Sequence, residues 1–368
     1  MKDSDYMRMA LELAKRGQGW TAPNPMVGAV IVKSGRVIGQ GYHRRCGGLH
    51  AEREALACCG ESPEGATLYV TLEPCCHDGR QPPCTDAILE AGISRVVVGS
   101  DDPNPLVGGK GLCILRRRGV EVETGVVKQE CDALNQVFFH FMKTRRPYVV
   151  MKYAMTLDGK TATRTGASRW ITGEEARRRV HQDRHRYSAI MTGVGTVLAD
   201  NPLLSCRMGG GRNPVRVICD TRLRTPLDSQ IVRTAREVPT ILATACGDVL
   251  RHAPYEKAGC RVWTLPEREG HVDLPALMER LGGENIDSVL LEGGGTLNWA
   301  ALESGTVQKV QAYVASKLFG GTTAKSPIGG LGVGLPDQAV QLKNTMITRI
   351  GEDFLLESEV AADVYRDG

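Results

Sequence analysis

The chain has 368 residues, 42% of them hydrophobic and 24% charged, which is length for two or three domains and apolar content for real cores; a single small module and a disordered tail are excluded. Its 46 Lys and Arg against 42 Asp and Glu leave a net charge of +4, too slight for the clustered basic footprint of a nucleic-acid binder. The uncharged stretch from Gly17 to Val32 has 16 residues, two of them prolines, and falls short of the ~18 apolar residues that a membrane span needs.

The first segment sets Tyr6, Met9, Ala10 and Leu13 at helical spacing, with Ser4 as the expected cap and Gly17 as the stop. It carries neither an apolar signal core nor a small-residue cleavage site, so a cytoplasmic location is expected. MVGAVIVK and RVIGQGYH flank Ser34-Gly35 and predict a hairpin. HAEREALACC then reads as a short helix, ATLYVTLE as a strand, TDAILEAG as a helix and RVVVG as a strand. Alternation continues to about residue 142, which predicts an α/β layer sandwich. The basic, proline-terminated KTRRP at 143–147 predicts a boundary between a domain of residues 1–145 and one of residues 146–368. A second alternating series runs from YVVMKYA through EEARRRVHQDRH, SAIMTGV, VRVICD, PTILAT, SVLLEGGG and KVQAYVAS. It predicts another α/β domain whose last strands return as an antiparallel edge. GGLGVGLP near residue 330 is a candidate mobile loop.

Twelve cysteines in a chain of this length point to reduced thiols or a metal site rather than a disulfide framework. Cys58, Cys113, Cys131, Cys219, Cys246 and Cys260 are expected as small buried filler. Three other positions carry chemistry. His50 opens a predicted helix; Cys75, 25 positions on, follows a strand and Pro74; Cys84, nine further, heads the next helix. One imidazole and two thiolates suit zinc with a fourth position left for water, which marks a catalytic rather than a structural site. Glu52, two residues after His50, reaches the pocket wall without joining the metal and is placed to move protons. His-x-Glu followed by Pro-Cys and a second Cys marks zinc base deaminases. A closed structural site with Cys76 or His77 as fourth ligand stays open beside this reading, as does a metal-stabilised scaffold without catalysis.

The eight residues between the two cysteines exceed the Cys-x-x-Cys spacing of nucleic-acid deaminases. With His77, Arg80 and Pro82-Pro83 in that insert, a small phosphorylated heterocycle fits better than an extruded nucleotide. Asn24, between prolines, is either a contact to sugar or base or a turn residue.

Together PNPMVG, HAE, TLEPCCHDGRQPPCTDAI and DDPNPLVGGKG resemble the deaminase half of the bifunctional riboflavin-biosynthesis deaminase/reductases. MKYAMTLDGKTAT, SRWITG, GVGTVLADNPLLSCR, VRVICDT and LLEGGGTLNWAAL resemble the reductase half of that family, in order. The resemblance implies a cytidine-deaminase-like three-layer α/β/α domain and a dihydrofolate-reductase-like α/β domain. It implies hydrolytic deamination of 2,5-diamino-6-(5-phosphoribosylamino)pyrimidin-4-one, then reduction of the ribosyl to the ribityl chain with NADPH. It assigns zinc to His50, Cys75 and Cys84, and proton transfer to Glu52. Ser168, Arg184, Leu204, Arg207 and Glu292 match substrate-binding positions. Ala154, Trp170, Thr196, Asp200, Thr221 and the run Gly294, Gly295, Thr296, Leu297, Asn298, Trp299 and Ala300 match cofactor-binding ones. Cys76 and Thr156 stand where a serine is usual.

The residues themselves make sense of a reductase. A strand, three glycines and a helix let backbone N–H groups approach a pyrophosphate at the helix start, although the run is not the G-x-G-x-x-G fingerprint. Arg184 and Arg207 offer forked donors to a phosphate and Glu292 an acceptor to sugar hydroxyls. Arg177, Arg178 and Arg179 read as a solvated helix face, and Trp170 as either a ring beside the cofactor or core packing. Lys152 and Asp200 are the two candidate proton donors. The rival function, a zinc deaminase of nucleic-acid bases with a C-terminal RNA-binding module, requires aromatic platforms that a 5% aromatic content does not suggest. The expected partners are a small phosphorylated pyrimidine, no nucleic acid and no membrane; an exposed edge of late strands leaves a homo-oligomer, dimer or tetramer, open.

Overall fold

The computed structural model describes residues 1–78 and 81–361, so Arg80 on the expected pocket rim lies outside the described residues. The chain divides into two compact units, Met1–Arg145 and Arg146–Gly368. Among the described residues, no helix is long and apolar enough to cross a membrane.

The first unit runs α1 (Asp3–Lys15), β1 (Gly28–Lys33), β2 (Arg36–Tyr42), α2 (Ala51–Ala57), β3 (Thr67–Leu72), α3 (Cys84–Glu90), β4 (Arg95–Ser100), α4 (Lys110–Arg117), β5 (Glu121–Thr124), α5 (Lys128–Leu134) and α6 (Gln136–Thr144). Helix α1 starts ahead of Ser4, which corrects the expected cap. Lys2 takes the cap position because its backbone N–H donates to the Asp5 carboxylate at 2.8 Å. Ser34 and Gly35 both have positive φ, 49° and 75°, as a two-residue hairpin turn requires. The sheet order is β2-β1-β3-β4-β5, antiparallel through β3 and parallel beyond it. Alternate side chains divide between its faces. Val30, Val32, Tyr69 and Val97 pack with Tyr6, Met7 and Ala10 of α1. Ala29, Ile31, Leu68, Val70 and Val98 pack with Ala55 of α2, Ile88 of α3 and Leu115 of α4. The result is a three-layer α/β/α unit.

Two glycines on one face of β2 set the depth of α2. A Cβ on Gly41 would stand 2.3 Å from the Ala55 backbone nitrogen and 2.5 Å from the Ala51 carbonyl oxygen, and one on Gly39 2.5 Å from the Ala55 carbonyl oxygen. Backbone cannot yield as a flexible side chain does, so Gly41→Ala is expected to push α2 off the sheet and cost about 1–3 kcal/mol. Because His50 precedes α2 directly, the same variant should retain less zinc. Urea unfolding and metal content measured together check this.

Of the cysteines expected as filler, Cys131 and Cys260 are buried and Cys219 and Cys246 half-buried. Cys58 and Cys113 are exposed, a correction. Cys58 ends the short α2, and Cys113 lies on α4 away from its buried Gly111, Leu112 and Leu115.

The second unit runs β6 (Tyr148–Thr156), α7 (Glu174–Arg186), β7 (Ala189–Gly193), α8 (Val194–Asp200), β8 (Val215–Cys219), α9 (Gln230–Arg233), β9 (Thr240–Thr244), α10 (Val249–Ala258), β10 (Arg261–Thr264), β11 (Glu267–Arg268), β12 (His271–Val272), α11 (Leu274–Gly283), β13 (Ser288–Leu291), α12 (Gly295–Glu303), β14 (Lys309–Ala315), β15 (Leu342–Ile350) and β16 (Asp353–Val360). Nine strands order β10-β9-β8-β7-β13-β6-β14-β16-β15. Those from β10 to β14 are parallel, and β16 is antiparallel to both its neighbours. Met151, Met191, Val217 and Leu291 pack on one face, and Ile190, Ile218 and Leu242 on the other. Both faces being covered, the central strands are apolar throughout.

Arg216 is fully buried in β8. Its guanidinium donates to the hydroxyls of Thr240 and Thr234 and to the carbonyls of Leu203, Ile231 and Val238 at 2.8–3.1 Å. The Leu203 bond ties the chain leading to Leu204 and Arg207 onto the sheet. Arg179 departs from the expected solvated face. Its Nε lies 3.8 Å from the buried Asp183 carboxylate, whereas Arg178 pairs outward with Glu174 and Arg177 covers the Trp170 ring.

Candidate active sites

In the first unit three elements bring one ligand each to a single point. His50 is the N-cap residue of α2, Cys75 follows β3, and Cys84 is the first residue of α3. Their ligand atoms all lie within 4.8 Å of one another. His50 Nδ1 is 3.4 Å from each sulfur. A tetrahedral pair with Zn–S of ~2.3 Å and Zn–N of ~2.0–2.1 Å places its ligand atoms ~3.6 Å apart, so the set fits zinc. The Cys84 backbone N–H donates to the Cys75 sulfur at 3.4 Å. The Cys84 thiol, that N–H and His50 hold the Cys75 thiol down at about 4, against the pull of burial. Cys76 takes no part: its sulfur faces the Leu106 carbonyl at 3.9 Å, and neither it nor His77 belongs to the ligand cluster.

Glu52 lies in the first turn of α2, buried to 3% exposure. Burial, reinforced by the Cys75 thiolate, pushes its carboxyl up to about 7. A carboxyl held near neutrality beside a metal site is poised to take and return a proton.

Spacing alone gave no sign of His43. Its buried ring stands edge-on to His50, with centroids 5.5 Å apart. The Asn24 amide donates to His43 Nε2 at 3.2 Å, so Nδ1 carries the hydrogen and donates to the Leu49 carbonyl at 2.9 Å. Burial lowers its pKa and keeps it neutral. Asn24 therefore fixes a tautomer, a role that a residue between two prolines does not advertise. Asp102 was missed as well; burial pushes its carboxyl up to about 6.

In the second unit a cleft of about 800 Å³ opens at the carboxyl ends of β8, β7 and β13, where open α/β sheets bind ligands. It is lined by Ser168, Thr196, Asp200, Thr221, Glu292 and the Gly294–Leu297 start of α12, with Ala300 behind them. The glycine-rich start offers N–H groups to a phosphate. Thr196 and Thr221 add hydroxyls to the walls, so these residues fit a dinucleotide.

Glu292 lines the cleft and is already paired. Arg184 donates to both its oxygens, at 2.8 and 3.0 Å, and the Lys152 ammonium stands 3.5 Å away. Burial raises the carboxyl, but Arg184 and Lys152 outweigh that and hold it at about 2. Arg184 also donates to the Ser205 carbonyl at 3.1 Å, whereas Arg207 is exposed. Arg207 is oriented by His181, whose ring accepts its Nε–H at 3.3 Å. Burial, with the charges of Arg184 and Arg207, holds His181 down at about 4, hence neutral.

Other expected contacts are placed differently. Asn298 is buried and donates to the Pro327 carbonyl at 2.9 Å, and Trp299 lies against Gly330. Leu204 points into the core, so only its main chain can meet a ligand. Ala154 packs beside Tyr313. Trp170 is 60% exposed, not core, and stacks with Arg177 at 4.6 Å. The Asp200 carbonyl accepts from Arg169 at 3.1 Å.

Residues 1–100 match the family described as the cytidine and deoxycytidylate deaminase zinc-binding region, and residues 147–356 the RibD C-terminal domain. The riboflavin biosynthesis protein RibD of Actinobacillus pleuropneumoniae is 57% identical over 357 residues, 97% of this chain and 95% of that protein. The solved structure of Acinetobacter baumannii RibD is similar at a TM-score of 0.88 and 37% identity, covering 98% of this chain and 99% of that one. That of the diaminohydroxyphosphoribosylaminopyrimidine deaminase/5-amino-6-(5-phosphoribosylamino)uracil reductase of Thermotoga maritima is similar at 0.86 and 38%, with the same coverage. Similarity on this scale spans both units, and the chain belongs to the RibD family of bifunctional riboflavin-biosynthesis deaminase/reductases.

Proposed function

We infer that residues 1–145 carry out hydrolytic deamination of 2,5-diamino-6-(5-phosphoribosylamino)pyrimidin-4-one and residues 146–368 the NADPH-dependent reduction of the resulting ribosylaminouracil to its ribityl form. The observation that carries this reading is the buried Glu52 carboxylate beside a three-ligand cluster suited to zinc.

His50, Cys75 and Cys84 would hold zinc, which when bound would lower the pKa of water there towards ~7. Glu52 accepts a proton from the attacking water and delivers it to the departing amine, which leaves as ammonia. Neutral His43, held by Asn24, supports the wall beside His50 and competes for no proton.

In the second unit NADPH supplies hydride. The α12 start would hold its pyrophosphate, and Arg207 with Ser168 would take the substrate phosphate. Lys152 is the proposed proton donor, since it alone of the two candidates pairs with Glu292, at 3.5 Å; Asp200 lines the cleft from the exposed end of α8.

Chelation of the metal separates the two chemistries. A strong zinc chelator is expected to abolish ammonia release while NADPH oxidation on preformed 5-amino-6-(5-phosphoribosylamino)uracil continues. Loss of both activities from a protein that remains folded by circular dichroism overturns the assignment of separate sites.

A further inference from the structure

Where the cleft passes the end of β8 it is lined by two basic side chains, Arg224 and His271. Both are exposed, and neither forms an ion pair among the described residues. Other cations nearby are committed: Arg222 pairs with Glu267 at 2.7 Å, and Arg251 donates to the Arg222 carbonyl at 2.7 Å. The turn that presents Arg224 is fixed from within. The Asp220 carboxylate accepts the backbone N–H groups of Arg224 and Thr225 at 2.6 and 2.7 Å and the Thr225 hydroxyl at 2.8 Å. His271 is held on the β11–β12 hairpin, whose Val272 N–H donates to the Thr221 hydroxyl at 3.1 Å. Two uncompensated donors on anchored turns face one end of the cleft.

The sheet order gives that end its place along a bound cofactor. Adjacent strands are ~4.8 Å apart, so the end of β8 stands ~10 Å from β13, across β7, and farther still from β6. The reacting end belongs beside Glu292 after β13 and Lys152 on β6, and the pyrophosphate at the glycine-rich start of α12. The adenosine half then runs the other way, over β7 to β8. There the group that distinguishes NADPH from NADH is a dianionic phosphate on the adenosine ribose, which forked and charged donors recognise strongly.

We propose that Arg224 and His271 clamp the 2′-phosphate of NADPH and set the preference for NADPH over NADH. This rests on the reductase reading of the cleft. Lys325 lines the cleft too, but its neighbour Ser326 and Gly329 approach Gly295 at the α12 start, beside the pyrophosphate that both cofactors share.

The test is equilibrium binding of NADPH and NADH by nicotinamide fluorescence, and of 2′,5′-ADP and ADP by calorimetry, on the full-length protein. Arg224→Ala should weaken NADPH and 2′,5′-ADP by roughly 10- to 100-fold, the loss of a hydrogen-bonded charge pair, and leave NADH and ADP within about twofold. His271→Ala should act in the same direction with a smaller factor, and Lys325→Ala should weaken all four ligands alike. Equal losses for phosphorylated and unphosphorylated ligands in Arg224→Ala, no loss at all, or selectivity erased by Lys325→Ala instead, each overturns the proposal. Failure of the wild-type protein to bind NADPH overturns the reductase reading itself.

Discussion

Replacing Glu52 by Gln is expected to slow ammonia release by roughly 10²- to 10⁴-fold, the usual worth of a positioned general acid–base. Zinc content and reduction of the uracil intermediate should stay at wild-type values. The amide keeps the shape of the carboxylate but carries no transferable acidic proton. Glu52 lies outside the ligand cluster, so its replacement leaves His50, Cys75 and Cys84 in place. Ammonia release, NADPH consumption and metal analysis on one preparation check all three statements. Loss of zinc with the activity would make Glu52 a support for the metal rather than a proton carrier.

Glu292→Gln should have the largest effect on the second unit, lowering its stability by about 3–5 kcal/mol and abolishing reduction. Glu292, Arg184 and Lys152 side chains are each only 13% exposed, and the substitution leaves two cations without their counter-charge in a confined site. The pH dependence has a definite sign. The folded-state pKa of Glu292 is about 2, depressed from 4.5, so its ionic contribution is fully present above about 4.5 and is lost as pH falls towards 2. The urea midpoints of wild type and variant should therefore differ most near neutrality and converge through that window. A gap that stays constant down to pH 2 would show that Glu292 contributes by shape alone.

The layers of both units were legible because period-2 and helical apolar patterns each report a local geometry, as the division of Val30 and Ile31 between opposite faces illustrates. His50, Cys75 and Cys84 were legible for another reason: each is a rare metal-binding residue at the junction of predicted elements. Pairings across the sheet were hidden. Arg184 and Glu292 are 108 positions apart and meet only because β13 inserts between β6 and β7. Sequence reasoning accordingly gave each a separate ligand to hold. The role of Asn24 was hidden too, since a lone histidine after a hairpin carries no motif and its partner lies 19 residues upstream. Leu204 shows the opposite difficulty, a residue matched by resemblance whose side chain is spent on the core.

Arg216 is surrounded by carbonyls and hydroxyls instead of a carboxylate, and this determines how the loop before Arg207 responds to its medium. Neutral dipoles at van der Waals distance are not attenuated by dissolved electrolyte as distant ionic partners are, and none of them titrates. The anchor that Arg216 gives this loop is thus insulated from ionic strength. Salt is expected to act on this loop at its rim instead, where Arg207 faces water.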